Sequence, residues 1–480
     1  MRSLFKLSIY ERILIVAFLI TLPLINPWVR GDGVGYYAFA RALLIEHHLN
    51  FEKDWLAANE SFRMGRTDAA GRILPEAYTS TGHLDNHFAI GPAVLWSPFL
   101  LVTHIGVLAY DSLGGHVAAD GYSRPYITTM AVTTALYGCL ALWISFRLAR
   151  KYVSERWAFL ATIGVWFASS LPVYMYFNPS WSHAQAAFVV ALFMWYWDAT
   201  RGVRTWAQWA CLGLIGGLML DVYYMNVVLL LLPLLESLYG YWRALQRTSS
   251  ESFGRLFAKN LVFSGALFAA FFPTLITKKI VYGSYLTLGY EHLWSWTPLA
   301  LINVCISADH GLFSWTPILL LSVVGLFFVQ RYDRILGAYL VIVFAAFLYV
   351  IGSYADWDGL SSFGNRFFVS LTPVFILGLA ALFDSFARAW DERRAGVFAS
   401  CITTALIVWN LGLIFQWGTH LIPTRGPISW REACYNQVAV VPVRVGGALK
   451  AYLTGRKELM RHIEDEDVKQ LKARQTEGME

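Results

Sequence analysis

An all-α, polytopic helical membrane protein with about 11–13 transmembrane helices is what this sequence predicts. Hydrophobic residues make up 57% of its 480 positions and charged residues 15%, where a soluble domain carries roughly 25% charged residues. Mean hydropathy is +0.47, and apolar runs of membrane-spanning length recur along the chain. The length excludes a single anchor followed by a globular domain. Net charge is +6. In a membrane protein this reflects basic loops on one side, so no nucleic-acid partner is expected.

The first apolar run, 11–29, follows a basic N-terminus, MRSLFKLSIYER. It contains Pro23 and Pro27 and lacks a small-x-small cleavage site, the pattern of an uncleaved signal anchor. Further runs lie near 88–110, 125–148, 157–176, 183–199, 206–220, 226–242, 259–277, 312–330, 335–352, 367–386 and 396–417. Two polar interruptions, 30–87 and 278–311, are long enough to be outer loops. Residues 418–480 form a tail ending in charged, helix-like sequence. The expected division is a membrane domain over 1–417, both loops included, and a peripheral tail over 418–480.

Basic clusters at Arg147–Arg156, Arg201–Arg204, Arg243–Lys259, Arg331–Arg334 and Arg388–Arg394 belong on the cytoplasmic side. Counting outward from them and inward from the basic N-terminus leaves a clash of one crossing. One segment between 30 and 148 therefore fails to span, and 88–110, broken by Pro92, Ser97 and Pro98, is the best suspect. The stretch VGYYAFARALLIEHH opens the first outer loop as a helix suited to the membrane interface. The five cysteines show no CxxC pair, and three fall inside apolar runs, so neither a disulfide framework nor a zinc site is supported.

The chemistry-bearing residues gather in the outer loops. Asp32 sits between Gly31 and Gly33 just past the first span, where a carboxylate can act as general base at the membrane surface. Capping the helix behind it is an equal reading, and the two roles can coexist. His83, Asp85 and His87 alternate ahead of the second run, as ligands on one side of a strand would, although interfacial polar residues are commoner. Asp309 and His310 precede the span at 312–330, and Trp357, Asp358, Asn365 and Arg366 precede the one at 367–386. Arg366 suits a phosphate clamp, with an outward-snorkelling arginine the equal alternative.

GDGVGYYAFARALL, GPAVLWSPFLL, GLFSWTPILLLSVVGL and WDGLSSFGNRFFVSLTP together resemble bacterial membrane glycosyltransferases of the GT-C class. The likeness extends over about residues 1–390 and points toward the protein mannosyltransferase and lipid A aminoarabinose transferase families. It implies a hexosyl- or pentosyltransferase that moves a sugar, with inversion, from a polyprenyl-phosphate carrier to a hydroxyl of a lipid, glycan or protein. It implies the bacterial inner membrane, an active site on the periplasmic face, and membrane lipids as surroundings. Asp32 takes the catalytic-base position. Tyr36, Tyr37 and Arg41 of the same motif, with the loop residues above, become substrate-binding candidates. Where many relatives carry a second acid after the base, this chain has Gly33. A second acid would have to come from Asp54, Asp85, Asp309 or Asp358. No residues are assigned to a metal and no cofactor is required, while a divalent cation is left open. Neither a Walker-type loop nor GxGxxG occurs. The rival reading is a transporter or flippase of lipid-linked sugars, which calls for mid-span charges and an internal repeat; the ionisable residues cluster in the outer loops instead.

Overall fold

The computed structural model describes residues 7–202, 204–248, 251–297 and 299–477; the basic N-terminal residues Arg2 and Lys6 lie outside them. Among the described residues there are no strands, only three isolated bridges. The chain is an all-α, polytopic membrane protein. Seven helices are long and apolar enough to cross a membrane, and the shorter apolar helices Trp206–Val222 and Ile318–Val329 accompany them.

Helix α1 (Ile9–Thr21) opens on a Ser8–Glu11 capping box. A 3-10 turn at Leu22–Leu24 then admits Pro23, which cannot donate the next helical hydrogen bond. Residues 25–30 follow without regular structure, so the helical part of the first apolar run is shorter than its hydropathy suggests. Helix α2 (Asp32–Arg41) is buried from Gly33 onward rather than lying half-wet at a surface. Its one strongly polar interior residue, Arg41, pairs with Asp54 at 2.8 Å and lies over the Tyr122 ring at 4.1 Å.

Helices α3 (Gly91–Ser112) and α4 (Arg124–Ala149) settle the path of the 88–110 run. The α3 helix continues through Pro98 and lies antiparallel to the first half of α4. Trp96 donates to Thr134 at 2.9 Å, Thr103 meets Thr129 at 2.7 Å, and His104 meets Tyr126 at 2.6 Å. The loop after α3 then returns to α2, where Tyr37 Oη donates to the Gly121 carbonyl and Arg41 to the Asp120 carbonyl. Tyr122 Oη donates to Asp54. The loops before and after α3 thus lie against each other, and α3 does not separate them despite its length.

The chain continues through α5 (Glu155–Phe167), α6 (His183–Thr200), α7 (Trp206–Val222), α8 (Leu231–Leu245) and α9 (Phe253–Tyr282). Further along the chain come α10 (Ile318–Val329), α11 (Arg334–Gly352), α12 (Thr372–Ala389) and α13 (Glu392–Gly418). Small residues bring the tightest pairs together, as expected where lipid supplies no hydrophobic drive between helices. A Cβ at Gly213 or Gly217 of α7 would lie 2.3 Å from a backbone carbonyl of α9. One at Gly325 of α10 would lie 1.9 Å from the Gly378 carbonyl of α12. Every residue from 366 to 383 is buried, making α12 the central post of the bundle.

The basic clusters meet acids at one end. Glu11 holds Arg147 at 2.7 Å, Asp198 holds Lys151 at 3.0 Å, and Glu236 holds Arg204 at 2.7 Å. At the other end lies the tail, α14 (Val441–Thr454) and α15 (Arg456–Glu477). It crosses the end of α1 and the first loop: Tyr452 donates to the Leu24 carbonyl at 2.8 Å, and Asn59 to Glu464 at 2.8 Å.

Candidate active site

Asp32 is the first residue of α2, and the capping position belongs to Gly31. Gly31 has φ +52°, a left-handed conformation that costs glycine nothing, and a Cβ there would come within 3.0 Å of the Trp181 ring. Trp181 Nε1 donates to the Arg30 carbonyl at 2.9 Å, fixing the turn from outside. No cap hydrogen bond uses the Asp32 side chain. Instead Arg366 Nη1 donates to Asp32 Oδ2 at 2.6 Å. The guanidinium stacks 4.4 Å from the Trp181 centroid. Arg366 begins the fully buried 3-10 turn that leads into α12.

Gly33 has no room for a side chain. A Cβ there would fall 1.9 Å from Ser180 Oγ, which is why this chain cannot carry an acid next to Asp32 in this packing. Gly35 is closed in the same way by the Phe88 ring, at 2.0 Å.

Unpartnered buried polar atoms collect around the pair. They include Ser180 Oγ, Tyr223 Oη, Asn365 Oδ1 and Arg366 Nε. Buried polar groups of this kind are ordinarily satisfied by protein, water or ligand. Asp32 and Arg366 face a cavity of about 850 Å³. Its lining combines apolar side chains, among them Leu24, Ile414, Phe415, Leu449, Leu459 and Ile463, with polar ones, among them Arg66, His420, Arg425, Asp467 and Arg474. Asp467 pairs with both Arg30 and His420.

The other sequence candidates sort into separate groups. Asp309, His310 and Asp358 form a cluster whose ligand atoms all lie within 4.8 Å of one another. His310 is fully buried at φ +55°, with Nδ1 3.1 Å from the Asp358 carbonyl. Burial pushes its pKa down to about 4. Burial, with Asp358 nearby, pushes Asp309 up to about 6. Asp309 Oδ1, 3.6 Å from His310 Nδ1, and His310 Nε2 make no hydrogen bond among the described residues, and two carboxylates with one imidazole are a donor set that suits a divalent cation. Asn365 donates to the Trp357 carbonyl at 2.9 Å, tying down the loop that carries Asp358.

His83, Asp85 and His87 do not converge. His83 meets Thr81 at 3.0 Å, Asp85 accepts from Tyr282, and the His87 carbonyl accepts from Lys278. Burial lowers the His87 pKa, which keeps the imidazole neutral beside Phe88. Tyr36 packs on Phe88 at 4.8 Å. Tyr37 and Arg41 hold the loop after α3, and Arg41 lies about 13 Å along α2 from Asp32 at 1.5 Å per residue. Sequence reasoning missed Trp181 and Ser180, whose NPSWSH context offered an aromatic and polar cluster between apolar runs. It also missed Arg425, Asp467 and Arg474 in the tail, where only the charge density was a signal.

Fold and site together define a polytopic helical membrane protein with an ion-paired carboxylate in a cavity lined by both apolar and cationic side chains. By sequence, no protein family and no curated protein matches. Among solved structures, the apo oligosaccharyltransferase of Archaeoglobus fulgidus shares the fold at TM-score 0.50 and 13% identity, over 91% of this chain and 56% of that one. AglB of the same organism, in complex with an inhibitory peptide and a dolichol-phosphate, aligns at 0.47 and 13%, over 83% and 55%. ArnT from Cupriavidus metallidurans, bound to undecaprenyl phosphate, aligns at 0.45 and 14%, over 85% and 70%. The chain spans little more than half the length of the two archaeal proteins.

Proposed function

We propose that this protein is an inverting glycosyltransferase that moves a sugar from a polyprenyl-phosphate carrier to a hydroxyl acceptor on a lipid, glycan or protein. The observation that carries the reading is the Asp32–Arg366 pair at 2.6 Å, in a cavity lined by both apolar and cationic side chains. An isoprenoid tail fits the apolar side chains, and its phosphate the Arg366 guanidinium. In the resting protein Arg366 Nη1 is engaged by Asp32, while Nε has no partner. An incoming phosphate competes for the guanidinium, whose planar fork matches phosphate oxygens, and draws it away from Asp32. The freed carboxylate accepts the proton of the acceptor hydroxyl. The acceptor oxygen then bonds to the anomeric carbon as the bond from that carbon to the phosphate oxygen breaks, and the electron pair leaves with the phosphate. Arg366 neutralises the charge that develops there. Attack opposite the leaving group inverts the carbon.

The outer face of the bacterial inner membrane is the proposed location of the chemistry. The neutralised basic clusters lie at one end of α6, beside Arg201, and Asp32 with Arg366 at the other, beside Trp181. If the reaction uses a divalent cation, Asp309, His310 and Asp358 are the residues that would hold it, and the ion would supply positive charge there. Whether the sugar is a hexose or a pentose is for the donor to reveal.

The test is Asp32→Asn in purified protein, assayed with polyprenyl-phosphate sugars. Turnover should fall by about 10²-fold or more, while binding of unglycosylated polyprenyl phosphate persists. Turnover near the wild-type rate would remove Asp32 as the base.

A further inference from the structure

Three guanidiniums face the cavity with no carboxylate within ion-pair distance among the described residues: Arg66, Arg425 and Arg474. Arg30 and Arg366, by contrast, are paired with Asp467 and Asp32. Five arginines therefore line the cavity against three carboxylates, Asp32, Glu466 and Asp467. With histidines neutral, two positive charges are left over. Cations gathered in a partly enclosed site are costly unless an anion joins them.

Two of the unpaired three are held together. Arg474 of α15 donates to the Arg425 carbonyl. Gly426, at φ +86°, makes the turn beside Arg425, and a Cβ there would lie 3.3 Å from Arg474 Nη2. Asp309 and Asp356 feel Arg425 only at longer range. The remaining cation, Arg66, is turned onto the Phe62 ring at 4.4 Å and donates to the Phe62 carbonyl. That leaves Arg425 and Arg474 as a pair of planar forks presented by the tail, apart from the fork that Asp32 occupies.

We infer that Arg425 and Arg474 form a second phosphate position in the cavity, supplied by the C-terminal segment and distinct from Arg366. The substrates then bring two phosphoryl groups into the site. The second is either the outer phosphate of a diphosphate-linked carrier or a phosphate carried by the acceptor. This rests on the carrier reading above, and it makes the tail part of the substrate site.

The experiment measures affinity of the full-length protein for three probes: a polyprenyl monophosphate, the diphosphate of the same chain length, and a short-chain phosphatidic acid added to monophosphate-loaded protein. Arg425→Gln/Arg474→Gln should weaken either the diphosphate or the phosphatidic acid by about tenfold or more, with monophosphate affinity within about twofold of wild type. Loss on the diphosphate assigns the second group to the donor; loss on phosphatidic acid assigns it to the acceptor. The retained monophosphate affinity shows that the cavity is intact, and Arg425→Lys/Arg474→Lys should recover part of the loss. If the Gln variant binds both the diphosphate and phosphatidic acid as wild type does, the second position is refuted while the carrier reading stands. If the wild-type protein binds no monophosphate, both fall.

Discussion

At the scale of single residues, the site depends on what is missing as much as on what is present. Gly31 supplies a backbone angle, and Gly33 supplies empty space against Ser180. A methyl group at position 33 overlaps the Ser180 side chain, so one of the two backbones must move. Gly33→Ala is therefore expected to cost about 1–3 kcal/mol through overpacking, and Ser180→Gly in the same chain should recover most of it. Thermal unfolding of the detergent-solubilised protein checks both. The same crowding leaves no room for a second acid directly after Asp32. Asp309 and Asp358 lie in the His310 cluster instead, and Asp54 is taken up by Arg41. Arg366 was legible from sequence as a candidate phosphate clamp just ahead of an apolar span. Its partner was not, because Asp32 lies 334 residues away.

At the scale of elements, two features decide how the cavity is made. Close packing of α7 on α9 through Gly213 and Gly217 sets one side of the bundle. Gly217→Leu would force a side chain into the Leu267 carbonyl, and it should lower folded yield sharply while Gly216→Leu, whose nearest neighbours are side-chain atoms at 3.4 Å, is milder. Size-exclusion recovery of the two variants gives the comparison. The second feature is the latch on α15. Burial alone would raise the Asp467 pKa, but His420 and Arg30 outweigh it and hold the carboxyl below its usual value. A carboxyl depressed in this way adds stability that is present above its unfolded pKa, about 3.9, and is lost as pH falls through the folded value. Hydrogen exchange of α15, corrected for intrinsic rates, should thus stay slow from about pH 8 to about pH 5 and quicken only below about pH 4. Asp467→Asn should give fast exchange already at neutral pH.

At the scale of the whole molecule, the charges and the cavity divide the bundle into two ends. A cysteine at Ser361, on the cavity wall, should react in intact cells with a membrane-impermeant maleimide, and one at Thr248, in the basic connection between α8 and α9, should not. The reverse pattern would put the cavity in the cytoplasm and overturn the proposed location. The class of fold, the number and rough positions of the apolar runs, and a lone carboxylate between glycines were all available in the residue order. Bilayer thickness and local backbone freedom act on neighbouring residues, and both leave their mark in a linear sequence. Only the tertiary structure decided that α3 lies along α4 without parting its flanking loops, that Arg366 meets Asp32, and that the tail walls the cavity. Those outcomes rest on ion pairs and steric fit between residues hundreds of positions apart, and such pairings have no local signature in hydropathy or charge.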